Sequence, residues 1–409
     1  MSINKRKIFN DPIYGFITIP NELVYDIIEH PYFQRLRRIT QLGLTNVVYS
    51  GANHTRFQHT LGAMHLMGQA IQIIRSKGHQ ISEEEETGAL IAILLHDIGH
   101  GPYSHTLEFT LIEGVHHEHL SKHFMHQLND EFNGALDLAI QIFEGSYSKP
   151  FLHQLVSSQL DVDRLDYLKR DSFFTGVSEG VVGSERIIKM MNVANNELVI
   201  EAKGIYSIEK FLIARRLMYW QVYLHKTVLA AEFLLVQILV RAKELAKKEM
   251  SLPSSKALHT FLYHTLTKED FDSSPAYIET FAQLDDYDIL TAVKEWCVHH
   301  DPVLSRLSKM LINRRLYKIE ISQRPFSKER IQALRQDVSK AYSIDENEAA
   351  YFVFSDKVQN AAYSQKMSKI SLLQKDGSVT DLMDNVDLLT ISVLSEPVTK
   401  YFICYPKNL

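Results

Sequence analysis

From Asn21 to about Lys248 the apolar positions recur mostly at helical spacing. Asn21 is a polar start signal before ELVYDIIEH, and Pro31 opens a second helix, YFQRLRRITQLG, that Gly43 closes. Ahead of them, residues 1–20 read as loop and short strand, because FNDPIYG concentrates turn formers. Between His59 and Lys77 the residues Leu61, Met64, Leu66, Ala70, Ile73 and Ile74 mark a helix. Ser82 and Glu85 form a capping box, and the acidic run Glu83–Glu86 suits the positive end of the next helix. That helix runs through GALIAILLHD to about Gly99 and is apolar almost all round, which predicts a central, buried position. One long helix is expected from about Tyr206 to Lys248.

The texture changes further on. SLPSSK (251–256) reads as a linker, and helices continue to about Met310. Beyond it, LYKIEIS, YFVF, KISLL and VTKYFICYP carry strand-forming residues around a helix, SKERIQALRQDVSKAY. The expected fold class is mainly α, a helical core with a small C-terminal α+β region. The expected divisions are a core at 1–250 with a distinct N-terminal segment 1–45, a helical extension at 251–310, and an α+β domain at 311–409.

Composition excludes several classes. Apolar residues are 45% and charged residues 23%, ordinary for a globular chain and unlike a disordered one. Lys and Arg number 44 against 49 Asp and Glu, so no global basic excess favours nucleic acid. Two cysteines cannot make a disulfide framework, which suits a reducing compartment. The start, MSINKRKIFNDP, lacks an apolar signal core, and the apolar stretch Val228–Val240 is broken by Glu232 and Gln237. A soluble cytoplasmic protein without membrane contact is the expectation. Histidine alters the picture: 12 of the 19 fall between His54 and His126.

Within that window, His96-Asp97 ends the buried apolar helix, where a carboxylate is costly unless paired or bound to a cation. His59 begins the other apolar helix, and Asp161 and Asp163 follow in QLDVDRLDYLKRD. Two imidazoles and two carboxylates can hold one metal with open positions. Nitrogen and oxygen donors without thiolate suit Fe, Mn, Zn or Ni, and Mg less well. The loop IGHGPYSH adds His100 and His105, and His117-Glu118 follows; such histidines can position or protonate a leaving oxygen. His116, His119, His123 and His126 read as surface residues. Arg56, Arg164, Lys169, Arg170 and Arg215 are candidate phosphate partners, with Arg56 and Arg164 favoured by spacing.

The pattern H…HD…D resembles that of the HD-domain metal-dependent phosphohydrolases. Longer strings over residues 5–250 are more specific: FNDPIYG, PYFQRLRRITQLG, GANHTRFQHTLG, LLHDIGHGPYSH, LDVDRLDYLKRDSFFTG and MYWQVYLHK. Together they resemble the deoxynucleoside triphosphate (dNTP) triphosphohydrolase branch. The resemblance implies an HD-domain helical core and a single divalent ion held by His59, His96, Asp97 and Asp163, with Asp161 structural. It allows Mg²⁺ to accompany the nucleotide phosphates. It implies a catalytic cluster of His100, His105, Glu108 and His117, with His105 as proton donor; Glu108 stands where the family commonly has Asp. Arg56, Arg164 and Arg215 would contact the triphosphate. Tyr167 and Asp171 would face the deoxyribose, assisted by Gln41 and Leu42.

The implied reaction is water attack on the α-phosphorus of a dNTP. The resemblance also points to a GTP, dGTP or dNTP activator bound by Lys7, Glu29, Gln34 and Arg37, and to a homo-oligomer, dimer or tetramer. Read by itself, the run Gln34–Arg38 equally fits the polar face of an amphipathic helix. Two other readings stay open: an HD phosphodiesterase or nucleotidase on another phosphoester, and a nucleotide sensor without turnover.

Overall fold

Strands β1 (Ile8–Asp11) and β2 (Gly15–Thr18) form an antiparallel hairpin through the turn formers of FNDPIYG. Asp11 shapes the turn by accepting from the amides of Ile13 (2.9 Å) and Tyr14 (3.0 Å). The computed structural model describes residues 7–103, 110–112, 114–360, 369–384 and 398–407. Helix α1 (Glu22–Glu29) starts as expected, its Asn21 cap accepting from the Val24 amide at 3.0 Å. The next predicted helix does not continue to Gly43. Helix α2 covers only Pro31–Gln34, followed by a tight turn at Arg35–Arg38 and a bridge from Thr40 to Thr55. Distant partners redirect the chain here. Arg35 is fully buried and donates to the carbonyls of Leu284 (2.9 Å), Ile98 (3.1 Å) and His100 (2.7 Å). The Thr40 amide and hydroxyl both donate to Asp286, at 2.8 and 2.7 Å.

Helices α3 (Arg56–Ser76) and α4 (Glu83–Leu95) pack together at the centre, each with a capping box. From Gly88 to Leu95 every residue of α4 is buried, as its all-round apolar pattern predicts. Around them lie α5 (His117–Glu131), α6 (Asp137–Glu144), α7 (Pro150–Val156), α8 (Val162–Thr175) and α9 (Ser184–Met190). Helix α8 crosses α3 at Gly62, where a methyl group would stand 2.1 Å from Asp166 Oδ1 and 2.2 Å from Arg170 Nη2. Only glycine admits that approach. A second hairpin, β3 (Met191–Ala194) and β4 (Glu197–Glu201), turns at Asn195 and Asn196, both with positive φ.

The long helix predicted from Tyr206 to Lys248 is two helices. Helix α10 (Ile205–Met218) passes into a wide π-type turn at Tyr219–Tyr223, and α11 (Lys226–Lys247) leaves at 57°. Side chains from elsewhere fix the break: the Tyr49 hydroxyl donates to the Gln221 carbonyl (2.6 Å), and the Tyr223 hydroxyl to Asp171 (2.7 Å). Among the described residues no single helix is long and apolar enough to cross a membrane. On α11, burial alone pushes the Glu232 carboxyl up from its ordinary 4.5 to about 8. Its folded form thus holds a proton that the unfolded chain gives up, and stability present below pH 4.5 is lost as pH rises through about 8. Glu232→Gln is expected to flatten that decline. At pH 8.5 it should stabilise by on the order of 1–3 kcal/mol, read from denaturant melts at pH 5 and 8.5, and an unchanged pH dependence would contradict this.

The SLPSSK segment is a packed turn, not a free linker. Leu252 is buried, the Tyr263 hydroxyl joins the Leu252 amide (3.0 Å) and the Met250 carbonyl (2.6 Å), and Trp296 donates to the Pro253 carbonyl at 3.0 Å. Helices α12 (Lys256–Tyr263), α13 (Lys268–Ser273), α14 (Pro275–Phe281), α15 (Asp286–Trp296) and α16 (Pro302–Ile312) follow. Then come β5 (Lys318–Ser322), α17 (Lys328–Tyr342), α18 (Glu346–Ala349), β6 (Phe354–Asn360), β7 (Ser371–Leu373), β8 (Val379–Asp381) and β9 (Val398–Tyr405). The expected mixture of strand and helix beyond 311 is present, but its strands serve two sheets. One has the order β5-β9-β6; the other, β3-β4-β7-β8, joins β7 parallel to β4 of the helical core.

Candidate metal centre and active site

Three helix ends converge. Thr55 starts α3 and sets Arg56 and His59 in its first turn, α4 runs out into His96 and Asp97, and the Asp161 cap starts α8 with Asp163 one residue inside. Asp163 Oδ1 lies 3.1 Å from His59 Nε2 and 3.4 Å from His96 Nε2. Asp97 reaches the same two nitrogens, 3.8 Å from His59 and 3.3 Å from His96. Both Nε2 atoms are buried without a hydrogen-bond partner, although carboxylates surround them. Buried, unpaired imidazole nitrogens amid carboxylate oxygens fit a divalent cation. Asp161 is no ligand: it accepts from the amides of Ser158 (2.7 Å) and Arg164 (2.8 Å) and from the Arg164 guanidinium.

A buried relay orients His59. Its Nδ1 donates to Asp166 (2.8 Å), which accepts from Arg170 Nε (2.9 Å) and Nη2 (3.0 Å), and Arg170 Nη1 donates to Asp11 at 2.7 Å. Asp166 is absent from the candidates above; in the sequence it is marked only by its i,i+4 spacing to Arg170 on the helix that carries Asp163. Arg170 itself is wholly buried in this relay and is not a phosphate partner. His96 Nδ1 donates to the Ile93 carbonyl at 2.6 Å, which leaves the Nε2 lone pair facing the site. Burial disfavours the charged form of His59, but the adjacent carboxylates of Asp163 and Asp166 outweigh it and raise the pKa to about 10. Burial opposes the charge of Asp163 too, yet His59 and His96 hold its carboxyl far below the usual range. The same carboxylates that favour a proton on His59 would favour a metal cation in its place.

The other expected residues are distributed around this centre. Arg56 is buried with its guanidinium on Asp97. His100 Nε2 is 3.3 Å from Asp97 Oδ1, and its ring stacks on His117 with centroids 3.8 Å apart. Burial, then Arg56, push His100 well below its ordinary value, so it is neutral near pH 7. A cleft of about 450 Å³ opens here, lined by His96, Asp97, His117, Lys122, Asp163 and Arg164 among others. Arg215 donates to Gln159 at 3.1 Å, and the Nε atoms of Arg164 and Arg215 are buried without partners. Tyr167 lies between His59 (centroids 6.5 Å apart) and Tyr223 (6.3 Å).

Asp171 accepts from His54 (2.8 Å) and from the Tyr223 hydroxyl (2.7 Å), partners the sequence did not indicate. Gln41 is close by, its backbone N–H donating to the His54 carbonyl (2.9 Å), while Leu42 packs against the core. His105 and Glu108 lie outside the described residues. Of the activator set, Lys7 donates to the Tyr25 hydroxyl (2.5 Å), and Gln34 accepts from Arg37 (2.8 Å). Glu29 is near enough to act on the charges of both Lys7 and Arg37, so the four share one patch. Lys169 sits over the Tyr14 ring instead of the cleft.

Family comparisons coincide with this geometry. Residues 56–171 match the model of the HD domain, and residues 182–252 that of the HD associated region. Along its whole length the chain is 30% identical to the uncharacterized protein YwfO of Bacillus subtilis, covering 94% of it. It is 54% identical, with a TM-score of 0.95, to the crystal structure of a phosphohydrolase from Bacteroides thetaiotaomicron, covering 98% of this chain and 100% of that one. The chain belongs to the HD-domain phosphohydrolases. HD domains bind divalent metal, and in this phosphohydrolase His59, His96 and Asp163 present their donor atoms within 4.8 Å of one another. It is also 31% identical over 268 residues to human SAMHD1, a deoxynucleoside triphosphate triphosphohydrolase, spanning 55% of this chain and 42% of the human one.

Proposed function

We propose that this phosphohydrolase cleaves dNTPs to deoxynucleoside and inorganic triphosphate, with one divalent ion held by His59, His96, Asp97 and Asp163. The observation that carries the reading is the pair of unpartnered Nε2 atoms on two carboxylates, opening onto a cleft that contains Arg164 and Lys122. The likeness to the human triphosphohydrolase supports the choice of substrate. A bound ion would polarise a phosphoryl oxygen and lower the pKa of a coordinated water.

The chain's own groups do the rest. Arg164 and Arg215 each keep one buried, unpartnered N–H donor, suited to phosphate oxygens. Tyr167 closes the sugar side, where its ring would meet a 2′-hydroxyl. Asp171, held by His54 and Tyr223, would accept from the 3′-hydroxyl. A built-in clash combined with one hydrogen bond discriminates better than an apolar pocket. Water oxygen bonds to the α-phosphorus, the bond to the 5′ oxygen breaks, and that oxygen takes a proton, for which the family resemblance points to His105. Neutral His100, stacked on His117, would position the neighbouring phosphate oxygens.

The test is product analysis with Mn²⁺ or Mg²⁺ and each dNTP, with and without GTP, followed by phosphorus NMR. Triphosphate with deoxynucleoside is expected. Orthophosphate or pyrophosphate as the first product, or no turnover by metal-loaded protein, would overturn the reading in favour of another phosphoester or of a nucleotide sensor. Stimulation by GTP, lost in Arg37→Ala, would support the activator patch of Lys7, Glu29, Gln34 and Arg37 and the homo-oligomer that such control commonly accompanies.

A further inference from the structure

His119 and His123, expected from sequence as surface residues, stand one turn apart on α5 and are only half-buried spectators by position. Their geometry says otherwise. The two Nε2 atoms are 3.1 Å apart, and both face Oδ1 of Asp272 on α13, at 2.8 Å from His119 and 2.9 Å from His123. The rings are nearly perpendicular, with centroids 4.6 Å apart. Hydrogen bonding serves this triangle poorly. If both Nε2 atoms carry protons, two N–H groups crowd one oxygen and face each other; if one is bare, its lone pair faces a carboxylate oxygen. A cation at the centre satisfies all three donors at once. Metal–nitrogen and metal–oxygen bonds of about 2.0–2.2 Å in a tetrahedron give ligand–ligand edges of roughly 3.3 Å, close to those observed.

We propose that His119, His123 and Asp272 form a second metal site, which takes a first-row divalent ion of the Zn²⁺ type and leaves a fourth position to water. Imidazole donors favour such ions over Mg²⁺ and Ca²⁺, which prefer all-oxygen shells. Burial and the adjacent His123 lower the pKa of His119 despite Asp272, so its lone pair is available near pH 7. The role is structural. Helix α5 opens with His117, the ring stacked on His100, and α13 belongs to the helical extension; the ion ties that extension to the first turns of α5.

The test uses the full chain, stripped with chelator and titrated with Zn²⁺ or Co²⁺. Calorimetry gives the stoichiometry, and the visible Co²⁺ spectrum reports imidazole ligation. Wild type is expected to bind two ions per chain, His123→Ala and Asp272→Asn one each, and Asp163→Ala one, retained at the second site. Zn²⁺ should raise the melting temperature of Asp163→Ala but not of a combined Asp163→Ala, His123→Ala chain. Melting of the stripped variants shows whether they fold, and the exposed Asp272 provides a readout if His123→Ala does not. Wild-type stoichiometry in folded Asp272→Asn, or a single ion in wild type that vanishes with Asp163→Ala, would overturn the proposal. Neither outcome depends on whether the protein hydrolyses dNTPs.

Discussion

Asp163→Ala is expected to lose the active-site ion and hydrolysis together, with turnover reduced at least about 10³-fold. Among the described residues, Asp163 is the only carboxylate within 3.5 Å of both His59 Nε2 and His96 Nε2. Asp97 stands 3.8 Å from His59 and also serves the Arg56 guanidinium, so it cannot replace the missing oxygen on both sides. The fold should survive, since the Asp163 side chain is 24% exposed and caps no helix. Asp161→Asn is the matching control. The substituted amide keeps an oxygen to cap α8 but loses the charge that pairs with Arg164, so stability should fall while the ion remains. Metal analysis, circular dichroism and triphosphate release on both variants decide the matter. Full metal occupancy in Asp163→Ala would show that the ligand set is wrong.

Asp166→Asn should have the next largest effect, through two separable channels. The amide oxygen can still accept from His59 Nδ1, but the charge that raises imidazole basicity is gone; such outer partners are commonly worth about 10–100-fold in metal affinity. Arg170, wholly buried, would keep the Asp11 carboxylate as a partner. Breaking a buried ion pair costs about 3–5 kcal/mol, and the surviving Asp11 contact places the expectation near the lower end. Denaturant melts read the second channel, and metal titration of the folded variant reads the first. A destabilised protein with unchanged metal affinity would mean that the relay serves folding alone. Gly62 belongs to the same device, because its missing side chain leaves the room in which Asp166 and Arg170 meet.

Much of the centre is legible in the chain because its determinants are local. Asn21, Thr55 with Gln58, and Ser82 with Glu85 start their helices through bonds spanning only a few residues. The all-round apolar run of α4 forces that helix inside, and with it the histidine and aspartate at its end. Periodicity and capping therefore set which residues lie at helix ends, and the donor chemistry marks a metal site. What the chain alone left undetermined rests on partners far away in sequence. Tyr49 and Asp171 break the long helix at Tyr219–Tyr223, and the carbonyls of Ile98, His100 and Leu284 draw Arg35 inward and end α2 early. Asp272 turns two apparent surface histidines into a convergent cluster, and β7 joins a sheet begun by β3 and β4. Periodicity reports only which face of an element is apolar. Which buried polar group meets which depends on how those faces pack, and the cost of leaving such a group unpaired is what fixes the choice.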